Sequence, residues 1–140
     1  MVMKGYIQIY TGDGKCKTTA ALGLIMRAAG AGLRIYFGQF IKGRDYSEIK
    51  ILKARFPDVT VIQFGHGHFI RGKPVQDEIS AAAHGLESLK QAMRSGLYDI
   101  VIGDEACTAM AAGLFSEKEL LTLCDSKPDS VELVLTGRNA

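Results

Sequence analysis

The 140-residue sequence has no apolar stretch approaching the ~20 residues that a membrane-spanning helix needs, so a membrane partner is not expected. It has little charge imbalance either. Seventeen lysines and arginines against fifteen aspartates and glutamates leave a formal charge of +2. That excess is too small to argue for nucleic acid, and the cations are dispersed apart from a local run from Lys42 to Arg44. Cysteine is scarce: three residues, an odd number without framework spacing, exclude a disulfide scaffold and suit a reducing cytoplasm. The opening Met-Val-Met-Lys-Gly-Tyr runs straight into a strand-like segment and leaves no room for a signal peptide. Internal repeats, low-complexity tracts and linkers are missing too. What is present, 47% apolar and 23% charged residues, is the composition of one ordinary globular domain with one core.

Along the chain, short apolar runs alternate with helix-forming stretches. Strands are expected over residues 2–10, 33–37, 59–64, 98–102 and 131–135. Between them, a helix opens at Thr18 and is closed by Gly30 and Gly32, and a second covers about Ser47 to Phe56. A third carries Ile79, Ala82, Leu86, Leu89 and Met93 on one face and ends at Gly96. A fourth starts at the capping box of Ser116 and Glu119. The segment Gly65 to Pro74, with three glycines and no period, reads as a loop. Alternating elements with nearly continuous apolar strands predict an α/β fold whose mainly parallel sheet is covered on both faces.

The turn from the first strand to the first helix is Thr11-Gly12-Asp13-Gly14-Lys15-Cys16-Lys17-Thr18, in the strand-to-helix context of a phosphate-binding P-loop. Gly12 and Gly14 let backbone N–H groups turn toward an anion, and the helix adds the positive end of its dipole. Lys17 is expected on the phosphates and the Thr18 hydroxyl on a divalent metal. A dinucleotide fingerprint is excluded because it needs glycine where Lys17 stands. Thr11 and Cys16 depart from the standard pattern, which has glycine at both places. A negative sulfur at Cys16 would oppose a polyphosphate. Cys16 is therefore expected not to be catalytic but to be tolerated with its side chain turned away, at the expense of backbone strain or weaker nucleotide binding.

A second acidic site lies in Asp99-Ile100-Val101-Ile102-Gly103-Asp104-Glu105, an apolar run delivering acids at its C-terminal end. Ligands of open α/β sheets gather at that edge, so Asp104 and Glu105 are placed to meet a metal held by Thr18. Magnesium suits so sparse a carboxylate set, because it keeps phosphate oxygens and water as its other ligands. No nucleophile–base pair is arranged in these motifs.

Four segments together resemble the P-loop type of ATP:corrinoid adenosyltransferases, which act on cob(I)alamin or cob(I)yrinic acid a,c-diamide. They are Tyr-Thr-Gly-Asp-Gly-Lys-Cys-Lys-Thr-Thr-Ala-Ala (10–21), Gln-Phe-Ile-Lys-Gly (39–43), Asp-Glu (104–105) and Leu-Thr-Gly-Arg-Asn-Ala (135–140). The similarity covers essentially the whole chain, and that family's loop begins with Thr-Gly, as here. The resemblance implies a single P-loop NTPase domain over residues 1–140, RecA-like and three-layered. It also implies that a C-terminal segment, a proline-containing helix in the family, is lacking. It implies transfer of the 5′-deoxyadenosyl group of ATP to cobalt(I) of a corrinoid with release of triphosphate, in adenosylcobalamin biosynthesis or salvage. Lys17, Thr18 and Glu105 would be catalytic, with Thr18, Asp104 and Glu105 around Mg2+ or Mn2+. Thr11, Gly12, Asp13, Gly14, Lys15, Cys16, Lys17, Thr18, Thr19, Gln39, Arg138 and Asn139 would hold the nucleotide. Phe40, Lys42, His68 and Phe69 are the candidates to face the corrinoid. A homodimer and an external flavin or flavodoxin-like reductant are implied as partners. Many members carry Gly-x-Gly-Phe-x-Trp at the third-strand loop; here it reads Gly65-His66-Gly67-His68-Phe69-Ile70, and the chain has no tryptophan. His66 and His68 lack the further ligands a structural zinc site wants. A small P-loop kinase or ATPase, or a non-catalytic nucleotide switch, are the alternative readings of the same loop.

Overall fold

A computed structural model describes residues 4–66 and 75–139. The chain runs β1 (Ile7–Thr11), α1 (Lys17–Gly30), β2 (Ile35–Gln39), α2 (Ser47–Arg55), β3 (Val59–Gln63), α3 (Gln76–Arg94), β4 (Ile100–Asp104), α4 (Ala106–Ala111), α5 (Glu117–Asp125) and β5 (Glu132–Gly137). The five strands form one sheet in the order β1-β5-β4-β2-β3, and every pairing is parallel. The expected α/β sheet of parallel strands is therefore what forms.

Strand periodicity explains the layers. Successive side chains of a strand point to opposite faces. Ile35 and Phe37 of β2, Ile100 and Ile102 of β4 and Val134 of β5 face one way, onto Ala21 and Ile25 of α1 and Ile49 and Leu52 of α2. Tyr36, Val101, Leu133 and Leu135 face the other way, onto Leu89 and Met93 of α3 and Leu120 and Leu123 of α5. The sheet is thus sandwiched between two apolar layers. At the rim the coverage stops. β1 pairs only with β5, and Ile7 (43% exposed) and Ile9 (51%) lie on the same face as Leu133 and Leu135 but outside the layer. The expectation of a sheet covered on both faces fails at this strand.

Four of the five strands also end later than hydropathy suggests: β1 reaches Thr11, β2 Gln39, β4 Asp104 and β5 Gly137, whereas β3 ends at Gln63, within its expected range. An apolar run cannot register polar terminal residues, whereas ladder pairing does. The short α4 escapes the same reading, because six residues are too few to show a period.

At the opposite end of the sheet, Asp99 ties β4 to β2: its carboxylate accepts from the Arg34 amide (2.8 Å) and from the Arg34 guanidinium (3.1 Å). Those hydrogen bonds hold the Asp99 carboxyl below its ordinary range. A lowered folded value means stability that is present at neutral pH and is lost as pH falls through that value. Asp99→Asn should therefore unfold at lower urea than the parent at neutral pH, with the gap closing as pH falls below the ordinary aspartate range. A gap that stays constant with pH would refute the assignment.

Candidate functional site

Every functional candidate within the described residues sits at the C-terminal edge of the sheet or just beyond it. β1 ends at Thr11, and the turn to α1 passes through Gly12, whose φ of 141° lies where a side chain is not readily accommodated. Asp13, Gly14 and Lys15 are exposed. Cys16, with φ of 87° and ψ of 0°, is the residue before α1, and its carbonyl accepts from Ala20 (2.8 Å). No acidic residue occupies the first turn of α1, so nothing in that turn opposes an anion at the positive end of the helix. The Lys17 ammonium donates to the Gly14 carbonyl and lies across the mouth of the loop. The backbone strain expected at Cys16 is present, and its side chain is exposed. Cys107 and Cys124 are of another kind: burial pushes both thiols above their ordinary range.

Beneath this loop runs a polar row created by the strand period. Val61, Phe37, Ile102 and Val134 belong to the α1 side of the sheet. Two residues on, the same face presents Gln63, Gln39, Asp104 and Thr136. Register makes them neighbours, with Gln63 beside Gln39 and Gln39 beside Asp104. Asp104 is fully buried, and three neutral groups donate to its carboxylate: the Thr136 hydroxyl at 2.7 Å, the Gln39 amide at 2.9 Å and the Thr18 hydroxyl at 3.1 Å. Thr18, at the start of α1, thereby binds the phosphate loop to β4.

The residue after Asp104 turns sharply. Glu105 has φ of 61° and its N–H donates to the Thr136 hydroxyl (2.9 Å), which leaves its side chain half-buried at the site. Thr136 thus donates one hydrogen bond to Asp104 and accepts another from the Glu105 N–H. Pairing of Thr11 with Gly137 brings the Thr136–Asn139 loop alongside the phosphate loop. That loop is pinned by the Arg138 N–H donating to Thr108 (3.0 Å). A Cβ at Gly137 would lie 2.4 Å from the Thr108 nitrogen, so only glycine fits there. Arg138 and Asn139 are exposed.

Two nominations change character in three dimensions. Gln39 is fully buried and addresses Asp104, not open solvent. Phe40, a candidate for the corrinoid, is fully buried between Phe64 (ring centroids 5.0 Å apart) and Phe115 (5.6 Å). Its side chain is core, so it supports the loop from below and offers no surface; that nomination is corrected. Lys42 sits on the loop above it, with its ammonium 5.4 Å from the Tyr46 ring centroid. His68 and Phe69 lie outside the described residues. Sequence reading missed Gln63 and Thr108, and it did not see Thr136 as the partner of Asp104. For Gln63 and Thr136 a signal existed: each stands two residues after an apolar strand residue of the α1-side layer, Val61 and Val134, and so shares its face.

The donor set fits a divalent metal bound together with phosphate. The Asp104 carboxylate is buried among neutral donors, and burying a carboxylate charge without a cationic partner is costly, so a cation bound beside it would be favoured. Among the described residues no ion pair includes Asp104, and no cluster of three or more His, Cys, Asp or Glu exists that could hold a metal by protein groups alone. Thr18, Asp104 and Glu105 supply few ligands, and magnesium favours such sites.

Two outcomes follow from this geometry. Cys16→Gly removes a left-handed strain of about 1–2 kcal/mol and should bind Mg·ATP as well as the parent or better in calorimetric titration; clearly weaker binding would show that the thiol contributes. Thr136→Val strands one buried acceptor and one donor and should destabilise by roughly 1–3 kcal/mol in chemical unfolding. An unchanged midpoint would mean that the hydroxyl is not a linchpin of the row.

Comparison with known proteins addresses the same residues. Residues 3–140 match the profile of the ATP:corrinoid adenosyltransferases BtuR/CobO/CobP. A Nostoc protein, uncharacterized protein all2391, is 34% identical over 99% of this chain and 40% of its own length. The corrinoid adenosyltransferase of Pseudomonas aeruginosa is 28% identical over 98% of this chain and 68% of its own. That of a Sinorhizobium species is 31% identical over 98% and 65%. The chain therefore spans between two-fifths and about two-thirds of the length of these relatives. Because the match takes in the phosphate loop, the Asp104-Glu105 pair and the Thr136-Gly137-Arg138 turn together, the chain belongs to the ATP:corrinoid adenosyltransferase family.

Proposed function

We propose that this chain transfers the 5′-deoxyadenosyl group of ATP to the cobalt(I) of a corrinoid. The observation that carries the reading is the juxtaposition of an open anion nest at α1 with a buried, neutrally solvated Asp104 reached through Thr18, in a chain of this family. Cobalt(I) is itself a strong nucleophile, so the protein needs no activated serine or cysteine. The cobalt electron pair forms the bond to C5′ of ATP, the C5′–O bond breaks, and its electrons leave with triphosphate.

The work left to the protein is positioning and charge stabilisation. The loop from Thr11 to Thr19 cradles the triphosphate with backbone N–H groups, and Lys15 and Lys17 bring positive charge to it as charge builds on the departing oxygen. Thr18 and Glu105, steadied by Asp104, would hold Mg2+ or Mn2+, which when bound neutralises further charge on the triphosphate. Arg138 and Asn139, on the loop alongside, are placed for the nucleoside end. Lys42, together with His68 and Phe69, is assigned to the corrinoid.

In this reading an external flavin or flavodoxin-like reductant delivers the electron that takes cobalt(II) to cobalt(I). The enzyme acts as a homodimer of single nucleotide-binding domains in the cytoplasm. No helix among the described residues is long and apolar enough to cross a membrane.

Incubation with Mg·ATP and chemically reduced cobalamin tests the proposal. Adenosylcobalamin and triphosphate are the expected products; ADP instead would assign a kinase or hydrolase, and tight ATP binding without product a switch. Lys17→Ala should cut turnover by about 10²-fold or more if the ammonium stabilises developing charge, and near-normal turnover would remove Lys17 from that role.

A further inference from the structure

Beyond Asp104 the polar row continues into a part of the molecule that the nucleotide chemistry does not need. The Gln39 amide donates to Asp104, so the Gln39 oxygen is left to accept, and the Gln63 amide donates to it (3.0 Å). The same Gln63 nitrogen donates to the Arg44 carbonyl (2.8 Å), which also accepts from the Tyr46 N–H (2.9 Å) at the start of α2. The Arg44 carbonyl can only accept, which turns the Gln63 nitrogen toward it and toward the Gln39 oxygen, and this leaves the Gln39 nitrogen to donate to Asp104.

The segment it reaches is strained. Lys42 N–H donates back to the Phe40 carbonyl (2.7 Å) across Ile41, whose φ is 69°. A three-residue turn of that hand is rare, and a β-branched residue at positive φ is an outlier. Such a conformation persists only where its surroundings over-determine it. Three contacts do so: Gln63 on Arg44, the Gly65 N–H on the Lys42 carbonyl (3.3 Å), and close backbone packing in which a Cβ on Gly65 would sit 1.9 Å from the Ile41 oxygen.

We propose that Gln63 is a positioning residue that, through Gln39, fastens the strained turn at Ile41 and the loop 40–46 to the Asp104 carboxylate, so that the acid serving the phosphate side also sets the placement of Lys42 on the second-substrate side. The placement of Lys42 in catalysis rests on the adenosyl-transfer reading; the relay itself does not. Gln63 touches neither substrate and acts through the loop. Its two donated protons are what the relay uses, which separates this role from simple packing. Leucine preserves much of the volume but donates nothing. Glutamate places an acceptor against two acceptors while ionised, and regains one donor when protonated.

The test is amide hydrogen exchange on the full chain, expressed as protection relative to an unstructured chain. In Gln63→Leu the amides of Lys42 and Gly65 should lose about tenfold in protection, one hydrogen bond's worth, while those of α1 and α3 hold. Gln63→Glu should match it at neutral pH and recover protection as pH falls toward about 5, where a carboxyl facing acceptors takes up a proton. With reduced corrinoid and Mg·ATP, KM for the corrinoid should rise about tenfold in Gln63→Leu, with the Mg·ATP Kd essentially unmoved. Undiminished loop protection in Gln63→Leu, or a Gln63→Glu variant indifferent to pH, would overturn the relay even if the parent makes adenosylcorrinoid. A parent that makes none, with the loop responding as stated, would count against the activity and leave the relay standing.

Discussion

A single buried carboxylate organises this molecule. Asp104 is removed from water at the end of β4 and met only by hydroxyl and amide donors. A carboxylate in that position demands that every residue around it donate, and the ends of the two neighbouring strands, β2 and β5, and the first turn of α1 comply. The same requirement determines where Thr18 sits, why Thr136 is a hydroxyl residue, and why the strands finish in polar residues while their bodies are apolar. Remove the acid and the donors would have no common partner. The apolar layers set the fold; the carboxylate sets the geometry of its upper edge.

That edge is also where the backbone departs from ordinary conformations. Among the described residues, the non-glycine positions with positive φ are Cys16, Ile41, Glu105 and Asn139. Each follows the C-terminal end of a strand, β1, β2, β4 and β5 respectively. The opposite edge, where Arg34 and Asp99 pair, has none. Strain concentrates where backbone must be aimed at a ligand, and it is tolerated because the ladders and the polar row beneath hold the strand ends still.

How much of this could be read from residues alone follows from the same physics. The strand bodies were legible because buried parallel strands are apolar throughout. The phosphate loop was legible because glycine, lysine and threonine at those spacings have few other uses between a strand and a helix. Strand ends were not, since Gln39, Asp104 and Thr136 look like loop residues until pairing extends the sheet to them. Phe40 illustrates the opposite error: an aromatic in a functional segment suggested a substrate contact, but it lies one residue past β2 on the face that packs on Phe64 and Phe115. Nor could sequence place β1 at the rim, because strand order arises from long-range pairing.

The position of β1 has a thermodynamic consequence. The strand that delivers the phosphate loop is hydrogen-bonded on one side only and is clothed by a helix on one face only, so it opens locally more easily than the central strands β5, β4 and β2. A polyanion seated at the loop, as proposed, would hold the end of that strand and oppose its release. On the proposed reading, occupancy and rim integrity are linked functions: a bound nucleotide would act as a clasp on the margin of the sheet, and its affinity would be lowered by whatever it costs to keep β1 in place.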